Sequence, residues 1–147
     1  MALSFSSCSI DGGEYEKLPL FEENDITHFR FEFRYETINA NNIAYVEIID
    51  LNTTGVVIDP TSHTVTIAQI VVPEPSGTFT PAIKTSVTIN NVIGVATIST
   101  GAILTVTDGG GDLGTPSSFS APRTFRVTAA DGKHQEWTVI VQDFING

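Results

Sequence analysis

The sequence predicts a single all-β domain, a sandwich or barrel of seven or eight short strands, and three observations favour this fold class. Thr, Val and Ile are abundant, and such β-branched side chains fit a pleated surface but lose rotamer freedom in a helix. Turn-forming residues recur about every 8–12 positions, the spacing of turns between short strands. No helical period of apolar residues occurs in the 147 residues, which is the length of one ordinary domain.

The first strand is predicted between Thr27 and Tyr35. Aromatic and charged residues alternate strictly there, so the aromatic set faces the core and the charged set, including Glu32, faces solvent. The aromatic positions are Phe29, Phe31, Phe33 and Tyr35, and the charged positions are Arg30, Glu32 and Arg34. Residues 1–25 show no period and are predicted to be a flexible N-terminal tail, so that the domain covers residues 26–147.

Further strands are predicted wherever a run of β-forming residues lies between turn signals. These runs are Ile43–Leu51, Val56–Ile58, His63–Val72, Ile83–Ile89, Val92–Ile98 and Ile103–Thr107. Near Ala68 the apolar residues of the third run change phase, which indicates either burial on both faces or a bulge. The segments Pro73–Gly77 and Asp108–Pro116 are predicted loops.

The C-terminal hairpin, Arg123 to Gln142, has a register that parity decides. Its apolar positions are odd-numbered in both arms: Phe125, Val127 and Ala129, then Trp137, Val139 and Val141. Directly opposed residues of an antiparallel pair project to the same side, so partner numbers must sum to an even value. A two-residue loop gives an odd sum and would place apolar core residues opposite polar residues of the other arm.

A three-residue loop satisfies this parity. It pairs Ala129 with Lys133 and therefore sets Phe125 opposite Trp137. On the other face it sets Arg126 beside Glu136. The third loop residue is then Gly132, which such loops require in the left-handed conformation.

Net charge restricts the possible partners. Only seven residues are basic and the formal net charge is −10, so neither nucleic acid nor an anionic membrane surface is an expected partner. We expect a soluble monomer. No apolar run reaches the ~18 residues of a membrane span, and the single cysteine, Cys8, cannot form an internal disulfide.

The hairpin also carries a family resemblance. The run from Phe119 to Gly132, FSAPRTFRVTAADG, and the arm from Trp137 to Val141, WTVIV, are similar to the end of a module with the pattern F-S-x-P-x-x-Y-x-V-T-A-x-D-G, then Y/W-T-V-x-V. This resembles the immunoglobulin-like or cadherin-like β-sandwich domains of Bacteroidetes surface lipoproteins, many of them domains of unknown function. The resemblance implies an immunoglobulin-like antiparallel β-sandwich of about seven to eight strands.

Cys8 gains a possible role from this resemblance. The run Phe5–Ser9, in which small residues precede Cys8, resembles the end of a lipobox, and the acids and glycines that follow resemble a lipoprotein spacer. The resemblance implies lipidation of Cys8, which is the one candidate site residue; the alternative is a free thiol in a loose tail. A membrane is then expected as a partner only through this anchor, because several acyl chains are needed for stable attachment.

Candidate catalytic or metal-binding residues are few. His28, His63 and His134 are isolated and lack a metal-ligand spacing, and no nucleophile elbow is present. The Asp108–Asp112 loop offers two carboxylates to a calcium ion, but the acids of an EF-hand are missing. We therefore expect no catalytic residues, no metal and no cofactor. If a glycan is bound, exposed Tyr45 or the tract Pro73–Thr80 is the favoured place.

These observations favour a non-catalytic module of an exported lipoprotein at the outer membrane or cell surface, with the periplasm as an alternative. Its role would be adhesion, glycan binding or spacing, with an extracellular glycan or another surface protein as partner. A second hypothesis is a small hydrolase of extracellular polysaccharide, or an accessory domain of one. A third is a surface-fibre subunit that assembles through strand edges.

Overall fold

The computed structural model describes residues 20–147, and within them the all-β prediction is confirmed. Nine strands and one short helix follow one another between residues 20 and 147. They are β1 Ile26–Ile38, β2 Ala44–Asp59, β3 Thr64–Val71, α1 Pro81–Ser86, β4 Val92–Ile98, β5 Ile103–Val106, β6 Pro116–Ser117, β7 Arg123–Thr128, β8 His134–Val141 and β9 Phe144–Ile145. In this part of the chain no helix has the length and apolar character needed to cross a membrane.

The strands form one curled open sheet, a half-barrel. Their order is β5-β7-β8-β3-β2-β1-β4-β6, and β9 adds to β3 beside β8. All neighbouring pairs are antiparallel except β3 with β8 and β3 with β9, which are parallel. The curl encloses the hydrophobic core, and β5 and β6 are the two terminal strands.

The long strand β2 joins the two halves of the sheet. Its first half pairs with β1 as far as Leu51 opposite Phe31, and its second half pairs with β3 from Asn52 opposite Val71. The prediction of two separate strands, Ile43–Leu51 and Val56–Ile58, is therefore wrong. Gly55 does adopt a turn-like φ of +62°, but the chain continues through it without leaving the sheet.

The phase change in β3 is confirmed, and it occurs opposite Gly55. Val65 and Ile67 are buried on one side of the change, and Ile70 and Val72 on the other. The pairing of β2 with β3 keeps a constant register across this point, so no residue is inserted. The left-handed Gly55 across from Ala68 marks the irregularity instead.

Phe29, Phe31 and Phe33 of β1 are buried in the core, as predicted, whereas Tyr35 is only partly buried. Phe31 packs edge-on against Phe119 with ring centroids 4.9 Å apart, in the geometry that aromatic quadrupoles favour. The expectation that Glu32 faces solvent is wrong, because its side chain is only 4% exposed. Arg34 Nη2 lies 2.8 Å and Arg30 Nη1 3.4 Å from its carboxylate, so the flanking charges cover and neutralise it.

The predicted register of the C-terminal hairpin is confirmed. Phe125 lies opposite Trp137 and Arg126 opposite Glu136. The amide of Ala129 donates to the carbonyl of Lys133 over 2.7 Å. Gly132 has φ +94°, so the three-residue loop closes through the left-handed residue that it requires.

The prediction of a strand at Ile83–Ile89 is wrong, because the first part of this run belongs to helix α1. Thr80 is the N-cap, and its hydroxyl accepts a hydrogen bond from the amide of Ile83. Pro81 occupies the first helical turn, where its missing N–H leaves no hydrogen bond unmade. These end effects outweigh the β propensity of the run.

Residues 20–25 precede β1, and several of them contact the domain. The indole Nε1 of Trp137 donates to the carbonyl of Asn24 over 3.0 Å. Ser99 donates its amide to the carbonyl of Asp25, and its hydroxyl oxygen accepts from the amide of Asp25, both over 2.9 Å. The first strand, Ile26–Ile38, contains the predicted stretch Thr27–Tyr35, but the contacts of the domain begin before it.

Candidate functional site

The Asp108–Asp112 loop uses its first carboxylate for structure. Oδ2 of Asp108 accepts from Nε of Arg123 over 2.8 Å and from the amide of Thr124 over 2.9 Å, while Oδ1 accepts from the amide of Gly110. Desolvation opposes ionisation, but these hydrogen bonds and the guanidinium outweigh it and lower the pKa of Asp108 to about 2. Asp108 is therefore the counter-ion of a buried arginine.

Arg123 is the charged residue that the sequence reasoning missed. Its side chain is only 5% exposed and lies between the rings of Phe119 and Phe125, each 5.1 Å from the guanidinium carbon. It also donates to the carbonyl of Gly111 over 2.6 Å. Parity could have found it, since Arg123 has the same parity as the core positions of β7. It fastens the glycine-rich loop to the sheet.

The three histidines do not come together. His28 and His134 are exposed, as predicted, and the ring of His63 packs edge-on against Trp137 with centroids 5.3 Å apart. Within residues 20–147 no group of three or more His, Cys, Asp or Glu side chains is placed to hold a metal ion. Cys8, the predicted lipidation site, lies outside the described residues.

A two-stranded ribbon projects from the sheet where β1 and β2 extend beyond β4. The pairing of β1 with β4 ends at Glu32, whereas its pairing with β2 continues to Ile38 opposite Ala44. Four aliphatic side chains of this ribbon are between 53% and 60% exposed. They are Ile38, Ile43, Val46 and Ile48. An exposed apolar cluster on a projecting ribbon is typical of a recognition surface.

One face of the ribbon carries an exposed aromatic surface. Tyr45, which is 37% exposed, lies opposite Thr37, and Glu47 lies opposite Tyr35, so by parity all four side chains project to the same side. The hydroxyl of Tyr35 is 3.0 Å from that of Thr78 in the loop after β3. Both glycan-contact candidates of the sequence analysis, Tyr45 and the tract Pro73–Thr80, therefore lie at the same end of the domain.

We call Tyr35, Tyr45, Glu47 and Thr78 the tyrosine surface. Partial desolvation, followed by the hydrogen bond and the negative charge of Glu47, raises the pKa of Tyr45. Tyr35 is held by Phe79, with ring centroids 5.7 Å apart. The surface thus combines a phenol ring, hydroxyl groups and a carboxylate, which are the groups that stack on a sugar ring and bind its hydroxyls.

The fold and these surfaces define a class: an all-β half-barrel domain that presents a ribbon at one end. Residues 26–140 match the DUF5018-related family, and the chain belongs to this family. The expectation of a family of domains of unknown function, based on the hairpin motif, is confirmed at this level.

A solved structure has the same fold. It is the crystal structure of a "putative secreted protein" from Bacteroides fragilis NCTC 9343, with 28% sequence identity and a TM-score of 0.77. The match covers 86% of the present chain and 100% of the other. No curated protein matches the chain.

Proposed function

We propose that the chain is a non-catalytic, immunoglobulin-like module of an exported surface lipoprotein and that it binds an extracellular glycan through the tyrosine surface. The observation that carries this proposal is the position of Tyr45, an exposed aromatic residue beside a carboxylate and near hydroxyl groups. Sugar recognition uses an aromatic face for the apolar side of the ring and polar groups for its hydroxyls.

The direction of the chain supports this role. Residues 20–25 lie at the end of the domain where β1 begins, and the tyrosine surface lies near the other end of β1. The 13 residues of β1 extend over roughly 40 Å at the rise of a β-strand. A lipid anchor at Cys8 would hold the chain by its N-terminal side, so the tyrosine surface would point away from the membrane.

Export is supported by the solved relative, which is described as secreted. Lipidation is supported by the residues around Cys8 and is tested separately from glycan binding. Intact-mass measurement of the chain purified from native membranes should show an S-diacylglyceryl cysteine at the N-terminus, with or without a third acyl chain on its α-amine. An unmodified thiol at Cys8 would exclude the anchor but leave the binding proposal intact.

Glycan binding is tested on an array of bacterial, host and plant polysaccharides with the purified wild-type chain. Tyr45→Ala should weaken binding by about tenfold or more, the value of one lost aromatic contact, whereas Tyr45→Phe should retain most of it. Val56→Ala, at a position of the other half of β2 that is also 37% exposed, is the matched control and should leave binding unchanged. Absence of binding on the array, or equal binding by Tyr45→Ala, contradicts the proposal.

Adhesion to another protein is the second candidate function, and the exposed aliphatic side chains of the ribbon favour it. Val46 and Ile48 project from the face opposite Tyr45, since they have the other parity. Replacing both with Thr should abolish protein adhesion and spare glycan binding. The two functions are therefore distinguishable on the same ribbon.

A further inference from the structure

The half-barrel is open between the strands β4 and β5. A cleft of about 350 Å³ lies there, and five of its apolar lining residues are Ala96, Ile98, Leu104, Val106 and Leu113. All five pack against the hydrophobic core. The cleft is therefore an opening into the core itself.

The backbone at this opening has hydrogen-bonding groups that pair with no strand among residues 20–147. Thr107 donates its amide to the carbonyl of Thr124 in β7, and in an antiparallel ladder the paired residues alternate with residues whose groups point away. Leu104 and Val106 therefore direct their N–H and C=O groups away from β7. On β4, the carbonyl of Gly94 accepts a hydrogen bond from the amide of Gly114 and therefore points away from β1. Because of the same alternation, the N–H and C=O groups of Ala96 also point away from β1.

The edge of β5 lacks the usual protection against pairing. Proteins blunt exposed edges with charged residues, Pro or very short strands. At the other end of the sheet, β6 has two residues and contains Pro116. In contrast, β5 reads Ile103-Leu104-Thr105-Val106, without charge or Pro, and the side chain of Ile103 is 66% exposed.

We propose that this open side accepts an extended polypeptide segment of a partner protein, which pairs with β5 as an added strand. Apolar side chains at alternate positions of the segment fill the cleft, and a Lys or Arg of the segment faces Asp112. Leu104 and Val106 supply two donors and two acceptors to its backbone. A glycan or a lipid chain lacks the regularly alternating N–H and C=O groups that would pair with these donors and acceptors. The surface is separate from the tyrosine surface, so the two proposals stand or fall independently.

Charge and area select a foreign segment over a second copy of the chain. Asp112 lines the cleft, and its carboxylate forms no ion pair with any residue in the described range 20–147. A second copy would bring another Asp112 and another net charge of −10. A four-residue edge paired with itself also falls far short of the roughly 1,200–2,000 Å² that stable interfaces bury. A basic segment brings the charge opposite to that of Asp112, and its apolar side chains are buried in the cleft in addition to the backbone pairing with β5.

The first test uses the full chain and three dye-labelled synthetic peptides, with fluorescence anisotropy as the readout. The probe is acetyl-Lys-Val-Thr-Val-Thr-Val-Lys-amide. The controls replace both Lys residues with Glu, or the central Val with Pro. We expect the Lys peptide to bind, the Glu peptide to bind about tenfold more weakly, and the Pro peptide not to bind. No binding of the Lys peptide up to about 1 mM, the limit of a weak contact, overturns the proposal.

Variants of the chain then locate the bound peptide. Val106→Pro removes an outward-facing N–H and leaves the bonds to β7 in place, while Ala96→Leu fills the cleft with a larger apolar side chain. Each should weaken binding by about tenfold, and Tyr45→Ala should not change it. Asp112→Asn should weaken binding of the Lys peptide by about threefold. Because Ala96→Leu does not alter β5, it remains informative if Val106→Pro fails to fold. Equal binding by both variants places the peptide elsewhere and refutes the proposal.

Residue-resolved hydrogen exchange distinguishes the other occupants. The amides of Leu104 and Val106 should exchange rapidly in the free chain and slowly with saturating Lys peptide, whereas those of Ile103 and Thr105, bonded to β7, should change little. Slow exchange of Leu104 and Val106 in the free monomer would mean that the chain covers its own edge. If the free chain is a dimer and Val106→Pro dissociates it, then a second copy of the chain covers the edge of β5. Either result overturns the foreign-segment proposal.

Discussion

The guanidinium of Arg123 lies buried beneath the glycine-rich loop, and its Nε donates to Oδ2 of Asp108 over 2.8 Å. The loop between β5 and β6 therefore has an ionic contact with β7 in addition to its backbone bonds. Gly110 permits this approach, since a Cβ at that position would lie 2.6 Å from Nη2 of Arg123. Loop, strand and core are linked at one point.

The first prediction concerns the dependence of stability on pH. The pKa of Asp108 is about 2 in the folded chain, below the ~3.9 of an unfolded Asp. The stability from its ionised form is thus complete above pH 4 and is lost as the pH falls from 4 to 2. That contribution is about 2 kcal/mol.

Asp108→Asn should lower the free energy of unfolding at pH 7 by about 2–4 kcal/mol, because Arg123 loses its counter-ion. The difference from wild type should shrink between pH 4 and pH 2. Urea denaturation at several pH values measures both effects. Asp50→Asn, at an exposed ion pair, is the control and should change little. A constant difference at all pH values contradicts the assignment.

The second prediction compares two glycines with nearly the same φ. Gly55 and Gly77 have φ of +62° and +58°, but a Cβ on Gly55 would lie 2.5 Å from Cβ of Ala68, whereas nothing lies within 4 Å of one on Gly77. Gly77→Ala should cost about 1 kcal/mol, the strain of a left-handed residue. Gly55→Ala should cost about 2–4 kcal/mol, since steric overlap adds to the strain.

Thermal unfolding of both glycine variants measures this difference. Adding Ala68→Gly to the Gly55→Ala chain should recover part of the lost stability by removing the opposing methyl group. Equal costs for the two variants would show that the close approach is unimportant.

The third prediction concerns the link between Trp137 and the residues before β1. Trp137→Phe removes the hydrogen bond to the carbonyl of Asn24 and leaves a small cavity, so it should cost about 1–3 kcal/mol. The amide of Asp25 should then exchange faster with solvent, because its neighbour is released. Lys133→Ala, which removes an exposed ion pair with Glu22, should leave that exchange rate unchanged. Unchanged exchange in both variants would contradict the link.

The fourth prediction is a small coupling energy between Arg126 and Glu136. Their side chains are opposite each other on the solvent face of the hairpin, and both are more than 40% exposed. A double-mutant cycle with Ala should give a coupling of at most about 1 kcal/mol, and 0.5 M NaCl should reduce it, since salt screens exposed charges. A larger, salt-independent coupling would show that the pair acts as a buried one.

The sequence predicted best where one residue pattern allowed a single geometry. Parity left one register for the hairpin, and the structure has that register, with Phe125 opposite Trp137. Alternation also placed Phe29, Phe31 and Phe33 of β1 in the core. It failed at Glu32, because burial there depends on two arginines that fold over the carboxylate. Such coverage is a tertiary effect that period two does not contain.

Two other errors had signals in the sequence. Thr80-Pro81 combines an N-cap residue with Pro at the first helical position, and these indicate a helix start more strongly than the isoleucines that follow indicate a strand. The run Asn52–Gly55 reads as a turn by composition. A glycine inside a long strand has the same composition, however, and the pairing of β3 with Asn52–Asp59 decides between the two.

The candidate surfaces were predicted in part. Tyr45 is exposed, as expected, but its position beside Glu47 and near the loop of Thr78 depends on the ribbon register and on the return of the chain after β3. The opening between β4 and β5 could not be predicted. It depends on which strands end the sheet, and that is decided by pairings between residues far apart in the chain.

The shared strand β2 has a consequence for how the molecule melts. Because one half of β2 completes the pairing of β1 and the other half completes that of β3, neither half of the sheet is whole without it. Unfolding of one half removes the strand that pairs with the edge of the other half. It also exposes one side of the hydrophobic core that both halves cover. The chain should consequently denature as a single cooperative unit, with equal van't Hoff and calorimetric enthalpies.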